Sequence, residues 1–125
     1  MKSVVDQSFS YKERICQSKD FEKIFSFGKK VFFNNLLVYI YKREEEKNIT
    51  RLGVIVSKKT QKSAVIRNKF KRRIREIFRT NKVYIKKGYD ILVIGTKSSV
   101  KDDFYILKQN FIEILNSEGL LEKTC

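Results

Sequence analysis

The sequence predicts an α+β fold, a two-layer α/β sandwich with a mixed sheet of about four strands and elements in the order α-β-β-β-α-β-α. Three observations support this. Apolar residues recur at helical spacing in three segments, and between them lie short runs of strand-forming residues. Proline is absent, so no linker divides the chain. At 125 residues, 42% of them apolar, there is material for one hydrophobic core, and 1–125 reads as a single domain with 1–11 loosely ordered.

The elements follow in order. Ser18 offers a helix cap, Phe21, Ile24 and Phe25 share a face, and Gly28 supplies a stop, giving a first helix over 18–27. Val31 to Tyr41 is strand-forming, with Asn34-Asn35 as the break. Beyond the break, Leu36, Val38 and Ile40 alternate with Leu37, Tyr39 and Tyr41, so both faces of this strand meet something. Arg43 to Asn48 reads as a charged hairpin tip, and Arg51 to Ser57 as the next strand. From Ser63 to Arg79 the period turns helical: Ile66, Phe70, Ile74, Ile77 and Phe78 form one stripe. Tyr89 to Gly95 is a short buried strand. Ser99 and Asp102 have capping-box spacing for a last helix, whose core stripe is Val100, Phe104, Leu107, Phe111 and Leu115.

Charge is concentrated. Lys and Arg total 28 against 14 acidic residues, a formal +14. Between Lys58 and Lys87 stand thirteen basic residues and one acid, Glu76, whereas the rest of the chain is near balance. A merely soluble surface spreads its charge, and a polyanion-binding surface gathers it. On the predicted basic helix, Arg67–Lys71, Lys71–Arg75 and Arg75–Arg79 are like-charged pairs one turn apart. Each costs on the order of 0.2–0.5 kcal/mol in an isolated helix. A solvated face does not require that repetition, and an anionic partner explains it. The arginines suit bidentate phosphate contacts. Phe21, Phe25 and Tyr39 read either as core or, beside a basic surface, as a platform for stacking single-stranded bases.

Much chemistry is excluded. Histidine is absent, which removes the usual neutral-pH acid–base residue, the commonest metal ligand and every Ser-His or Cys-His pair. Five scattered glycines form no phosphate loop. Asp102 and Asp103 read as first-turn carboxylates complementing a helix dipole rather than as Mg²⁺ ligands. No catalytic or metal-binding residue is therefore expected. Cys16 and Cys125 read as two unpaired intracellular thiols. Without a secretory pattern or a long apolar run, the expected location is cytoplasmic, with no membrane partner.

The segment from Val54 to Arg79, VIVSKKTQKSAVIRNKFKRRIREIFR, resembles the most recognisable stretch of the bacterial ribonuclease P protein component family. That family reads V-S-K-K, a short loop, then A-V-x-R-N-R-x-K-R-x-I-R-E-x-F. Asp20-Phe21 through Phe25 and Gly28 resembles its D-F opening, Tyr39 falls on its aromatic strand position, and Gly88-Tyr89-Asp90 matches its last strand's entry. The resemblance covers roughly residues 12–115. Lys69 stands where the family usually has arginine, which keeps the charge and loses the planar fork.

The resemblance implies a left-handed crossover around the basic helix, where the general rule gives a right-handed one. It implies a subunit of an endoribonuclease whose catalytic RNA, with RNA-bound Mg²⁺, removes the 5′ leader of precursor tRNA, with no protein partner required. Arg67, Asn68, Lys69, Arg72 and Arg73 would contact the catalytic RNA. Phe21, Phe25, Tyr39, Lys71 and Arg75 would line the leader cleft, and Lys58, Lys59, Lys62 and Arg79 would add basic contacts. The rival expectations are a small basic ribosomal or other structural RNA-binding protein, and a self-sufficient nuclease.

Overall fold

A computed structural model of the chain describes residues 9–45 and 47–122. The helices are α1 (Ser18–Phe27), α2 (Ala64–Asn81) and α3 (Phe104–Ser117), and the strands are β1 (Lys29–Phe33), β2 (Leu36–Lys42), β3 (Arg51–Ile55) and β4 (Tyr89–Ile94). Their sequence is α-β-β-β-α-β-α, as expected. The sheet order is β1-β2-β4-β3, with β1/β2 and β2/β4 antiparallel and β3/β4 parallel. The sheet is thus mixed.

The Asn34-Asn35 break is a two-residue hairpin. Both asparagines take positive φ, 47° and 69°, and Phe33 pairs with Leu36 across the turn. Asparagine tolerates this conformation better than other residues with a side chain, and the turn's twist matches that of the strands. The expected hairpin tip at Arg43–Asn48 is not one, because β4 lies between β2 and β3. Arg43 is buried rather than exposed, with its side chain turned toward Asp90 and the Ile49 carbonyl. Asp90 draws it inward because a buried carboxylate requires partners. Gly88, at φ 97°, opens β4, and its N–H donates to the Ile49 carbonyl.

The two longer helices cover one face of the sheet. Phe70, Ile74, Ile77 and Phe78 of α2 pack with Leu107, Phe111, Ile114 and Leu115 of α3 over Val38, Ile40, Leu52, Ile91 and Val93. Each large side chain buried here contributes roughly 1.5–3 kcal/mol relative to exposure. Ile66, expected in the stripe, lies in the first turn of α2 and is exposed, since the sheet no longer faces it there. Gly95 permits close packing, because a Cβ there would meet Val56, Val100 and Phe70 at 2.8–3.2 Å. On the opposite face, α1 packs only through a small cluster built on Ile15, Ile24 and Leu92.

Two caps differ from expectation. Ser18 is the first residue of α1, and the capping position is Gln17, with no side-chain hydrogen bond. Asp20 in the first turn supplies the negative charge that complements the helix dipole. Ser99 is buried in a 3₁₀ turn, where its hydroxyl accepts from the Thr96 N–H, so it cannot cap α3. Asp103 does so, accepting from the Ile106 N–H at 2.9 Å, and Asp102 lies before the helix.

Within the segment expected to be loosely ordered, Phe9 and Ser10 make contacts. Phe9 meets Phe78 edge to face at 5.6 Å. Beyond them, Glu13 forms a buried ion pair with Lys82 at 3.0 Å, and Arg14 bridges to Leu52. Sequence polarity concealed this because the buried charges neutralise each other. Residues 1–8 and Cys125 lie outside the described residues, and Cys16 is exposed.

Candidate nucleic-acid interface

Helix α2 buries one stripe, so its basic residues must occupy the remaining circumference, and the 3.6-residue turn sorts them into rows. Arg67, Lys71 and Arg75 form one flank, Asn68, Arg72 and Arg79 the crest, and Lys69 and Arg73 the opposite flank. The neighbours of two residues fix the orientation. Arg73 donates to the Asp102 carbonyl at 2.9 Å, so its flank faces the entry to α3. Arg75 lies beside Arg14 and Cys16 on the segment leading into α1. Partial burial, and then the Arg14 charge, lower its pKa from the ordinary arginine value, with Cys16 acting in the other direction. The residues expected to bind catalytic RNA therefore do not form one patch, since Arg67 shares a flank with Lys71 and Arg75.

Local contacts fix several of these groups. Ser63 caps α2, accepting from the Ile66 N–H. Arg67 donates to the carbonyls of Gln61 and Lys62 at 2.8 and 2.9 Å, closing the preceding loop. Lys58, Lys59 and Lys62 are exposed on that loop, as are Asn68, Lys69 and Arg72 on the helix. Arg79 pairs with Glu76 at 2.6 Å, which relieves the third like-charged contact. That hydrogen bond, before any other cause, lowers the Glu76 pKa and raises that of Arg79.

The aromatic residues flank the sheet face opposite the main core. Phe25 is 46% exposed and meets Tyr39 edge to face, with ring centroids 5.0 Å apart and planes at 80°. Phe21 is half-buried against the Ile15–Ile24–Leu92 cluster, so it is part core and part surface. Phe21 and Tyr39 thus pack partly into the small cluster, whereas Phe25 stays largely open. The strand register places Tyr39 beside Leu92 and Gly53, and in the next row Leu37, Ile94 and Ile55. These last three are half-buried and form an apolar floor. Sequence reasoning missed them, because alternation in β2 showed that both faces are used but not which face stays open.

A charged network anchors α1 over this face. Arg51 holds Asp90 through two hydrogen bonds, 2.8 and 2.7 Å, and reaches Asp20 of α1 at 3.3 Å. The Asp90 hydrogen bond is the largest cause holding the Arg51 pKa above the ordinary arginine range. A polar hollow lined by Asp20, Lys23, Tyr41, Arg43, Arg51 and Asp90 adjoins it. Among the described residues no three Cys, Asp or Glu side chains gather as a metal site, and no helix is long and apolar enough to cross a membrane.

The sequence model of the Ribonuclease P family matches residues 9–118. The chain is similar to the ribonuclease P protein component of Clostridium kluyveri, 41% identical over 110 residues that cover 86% of this chain and 95% of that relative. It is 38% identical to that of Thermotoga maritima over 113 residues, covering 87% and 94%. Among solved structures it resembles the Staphylococcus aureus RNase P protein, with TM-score 0.78, 32% identity and 88% and 98% coverage. The Thermotoga maritima RNase P protein gives TM-score 0.74 and 36% identity, covering 84% and 96%. The conserved architecture and the sequence agree: this chain belongs to the ribonuclease P protein family.

Proposed function

We propose that this chain is the cytoplasmic protein subunit of a ribonuclease P ribonucleoprotein, docking on the catalytic RNA and gripping the 5′ leader of precursor tRNA. The crest and far flank of α2, with Asn68, Lys69, Arg72 and Arg73, meet the catalytic RNA through phosphate contacts that position the protein. The open sheet face takes the single-stranded leader. The observation that carries this assignment is exposed Phe25 set against half-buried Tyr39, on a face whose helical border is Arg75. Aromatic faces with cations at their edge hold single strands irrespective of sequence, which suits leaders of varied sequence.

Arg67 and Lys71 share the flank of Arg75 and continue the cationic border. Lys58, Lys59 and Lys62 extend the basic field beyond the helix, and Arg79 adds to it at the other end. Mg²⁺, in this reading, is held by the RNA partner, and this chain binds and orients. Cleavage of precursor tRNA by a bacterial ribonuclease P RNA at low Mg²⁺ tests the proposal. Added protein should restore cleavage at the mature 5′ end, and failure to do so would contradict it.

A further inference from the structure

The apolar floor continues past the residues described above. Phe32 of β1 pairs with Leu37, Leu37 with Ile94, and Ile94 with Ile55, so one cross-strand row spans all four strands. Paired residues share a face, and the packing of its neighbours places Phe32 on the open one. Val31 packs into the main core, Phe33 lines the α3 side with Tyr105 and Ile112, and Ile55 and Ile94 pack against the α1-side cluster. Phe32 is 62% exposed. With strands about 4.8 Å apart, the row is about 14 Å long.

Its surroundings are cationic at both ends. Lys30, exposed and on the same face, sits opposite Tyr39. At the β3 end the chain leaves through Val56 into the loop that carries Lys58, Lys59 and Lys62. A half-exposed apolar row between two positive ends fits a single-stranded polyanion that lays its bases down and its phosphates at the margins. A protein partner of similar size would require a fully desolvated apolar centre, which exposed Lys30 beside Phe32 opposes.

We propose that Phe32 is an additional base-stacking residue, extending the leader platform across β1 to a nucleotide that Phe21, Phe25 and Tyr39 do not reach. This rests on the leader reading above. As a diagonal neighbour of Tyr39, Phe32 lies roughly 7–8 Å from it, a span of about two stacked steps of a strand. The strand therefore needs a minimum leader length to arrive.

The test uses the full chain assembled with a bacterial ribonuclease P RNA and precursor tRNAs whose leaders are lengthened one nucleotide at a time. Phe32→Ala should match wild type on short leaders and bind about 5-fold or more weakly once the leader reaches β1. Phe32→Tyr should restore the affinity, and melting temperature should be unchanged. Wild-type affinity of Phe32→Ala at every length, while Phe25→Ala binds more weakly, would overturn the proposal and leave the leader reading standing. If Phe25→Ala also changes nothing, the leader reading itself fails. A Phe32→Ala effect confined to concentration-dependent self-association of the free protein would assign Phe32 to a protein contact, and a uniform loss with a lower melting temperature would assign it to the fold. Either result overturns the proposal.

Discussion

Asp90, 2% exposed, receives both Nε and Nη2 of Arg51, at 2.8 and 2.7 Å, near the start of inner strand β4, on a sheet whose other side is the main hydrophobic core. The carboxylate also faces Arg43, and Arg51 passes the link on to Asp20 of α1. Asp90→Ala leaves buried Arg43 and half-buried Arg51 without this partner. The expected loss is about 3–5 kcal/mol in urea unfolding. Asp20→Ala breaks a more exposed pair and should remove about 1 kcal/mol or less. Its mark is faster amide exchange in α1, with β3 and β4 unaffected.

The rows on α2 make separable expectations. Arg75→Ala should weaken leader-bearing substrate and leave the catalytic RNA bound as before. Arg72→Ala should do the reverse, whatever the substrate. Arg73→Ala additionally loses the hydrogen bond to the Asp102 carbonyl, removing about 1–2 kcal/mol of stability. Melting temperature measured beside the two affinities distinguishes the three.

The long basic helix was legible because Phe70, Ile74, Ile77 and Phe78 recur without interruption, and the Asn34-Asn35 turn because few other residues take positive φ. The caps were less so: Ser99 and Asp103 both have capping chemistry, and only the 3₁₀ turn at Ser99–Lys101 shows which is engaged. The β2–β3 connection read as a hairpin because sequence adjacency suggests pairing, whereas the strand between them arrives 34 residues later than β3 ends. Of the candidate site, the basic residues and Phe25 were legible from type and spacing. Leu37, Ile55 and Ile94 were not, since nothing local distinguishes an aliphatic residue under a helix from one on an open face.

Salt should weaken assembly steeply. If about 5–8 phosphates are neutralised, log K against log[salt] should fall with a slope on the order of −4 to −7. A slope near zero would contradict phosphate docking.

Two acidic side chains should respond to pH with opposite sign. The Arg79 hydrogen bond lowers the Glu76 pKa, so its small contribution is present above the ordinary glutamate value and fades as pH falls through the lowered one. Glu76→Gln should therefore be slightly less stable at neutral pH and converge with wild type in acid. Burial, and then the charge of Asp103, raise the Asp102 pKa. Ionisation there disfavours the fold, so wild type gains as pH falls from above the raised value to below the ordinary aspartate one. Asp102→Asn should be at least as stable as wild type at neutral pH, with the difference vanishing in acid. Thermal melts across this range check both.

The most direct measurement is the affinity ratio between leader-bearing precursor tRNA and mature tRNA, for the assembled ribonucleoprotein with wild-type chain and with Phe25→Ala. Phe25 is nearly half exposed, so the variant should fold and dock on the catalytic RNA normally. Stacking contributes roughly 1–3 kcal/mol per base, so the ratio should fall about 5- to 150-fold through loss of precursor affinity alone. A folded, assembled Phe25→Ala particle with the wild-type ratio would contradict the assignment of this sheet face to the leader.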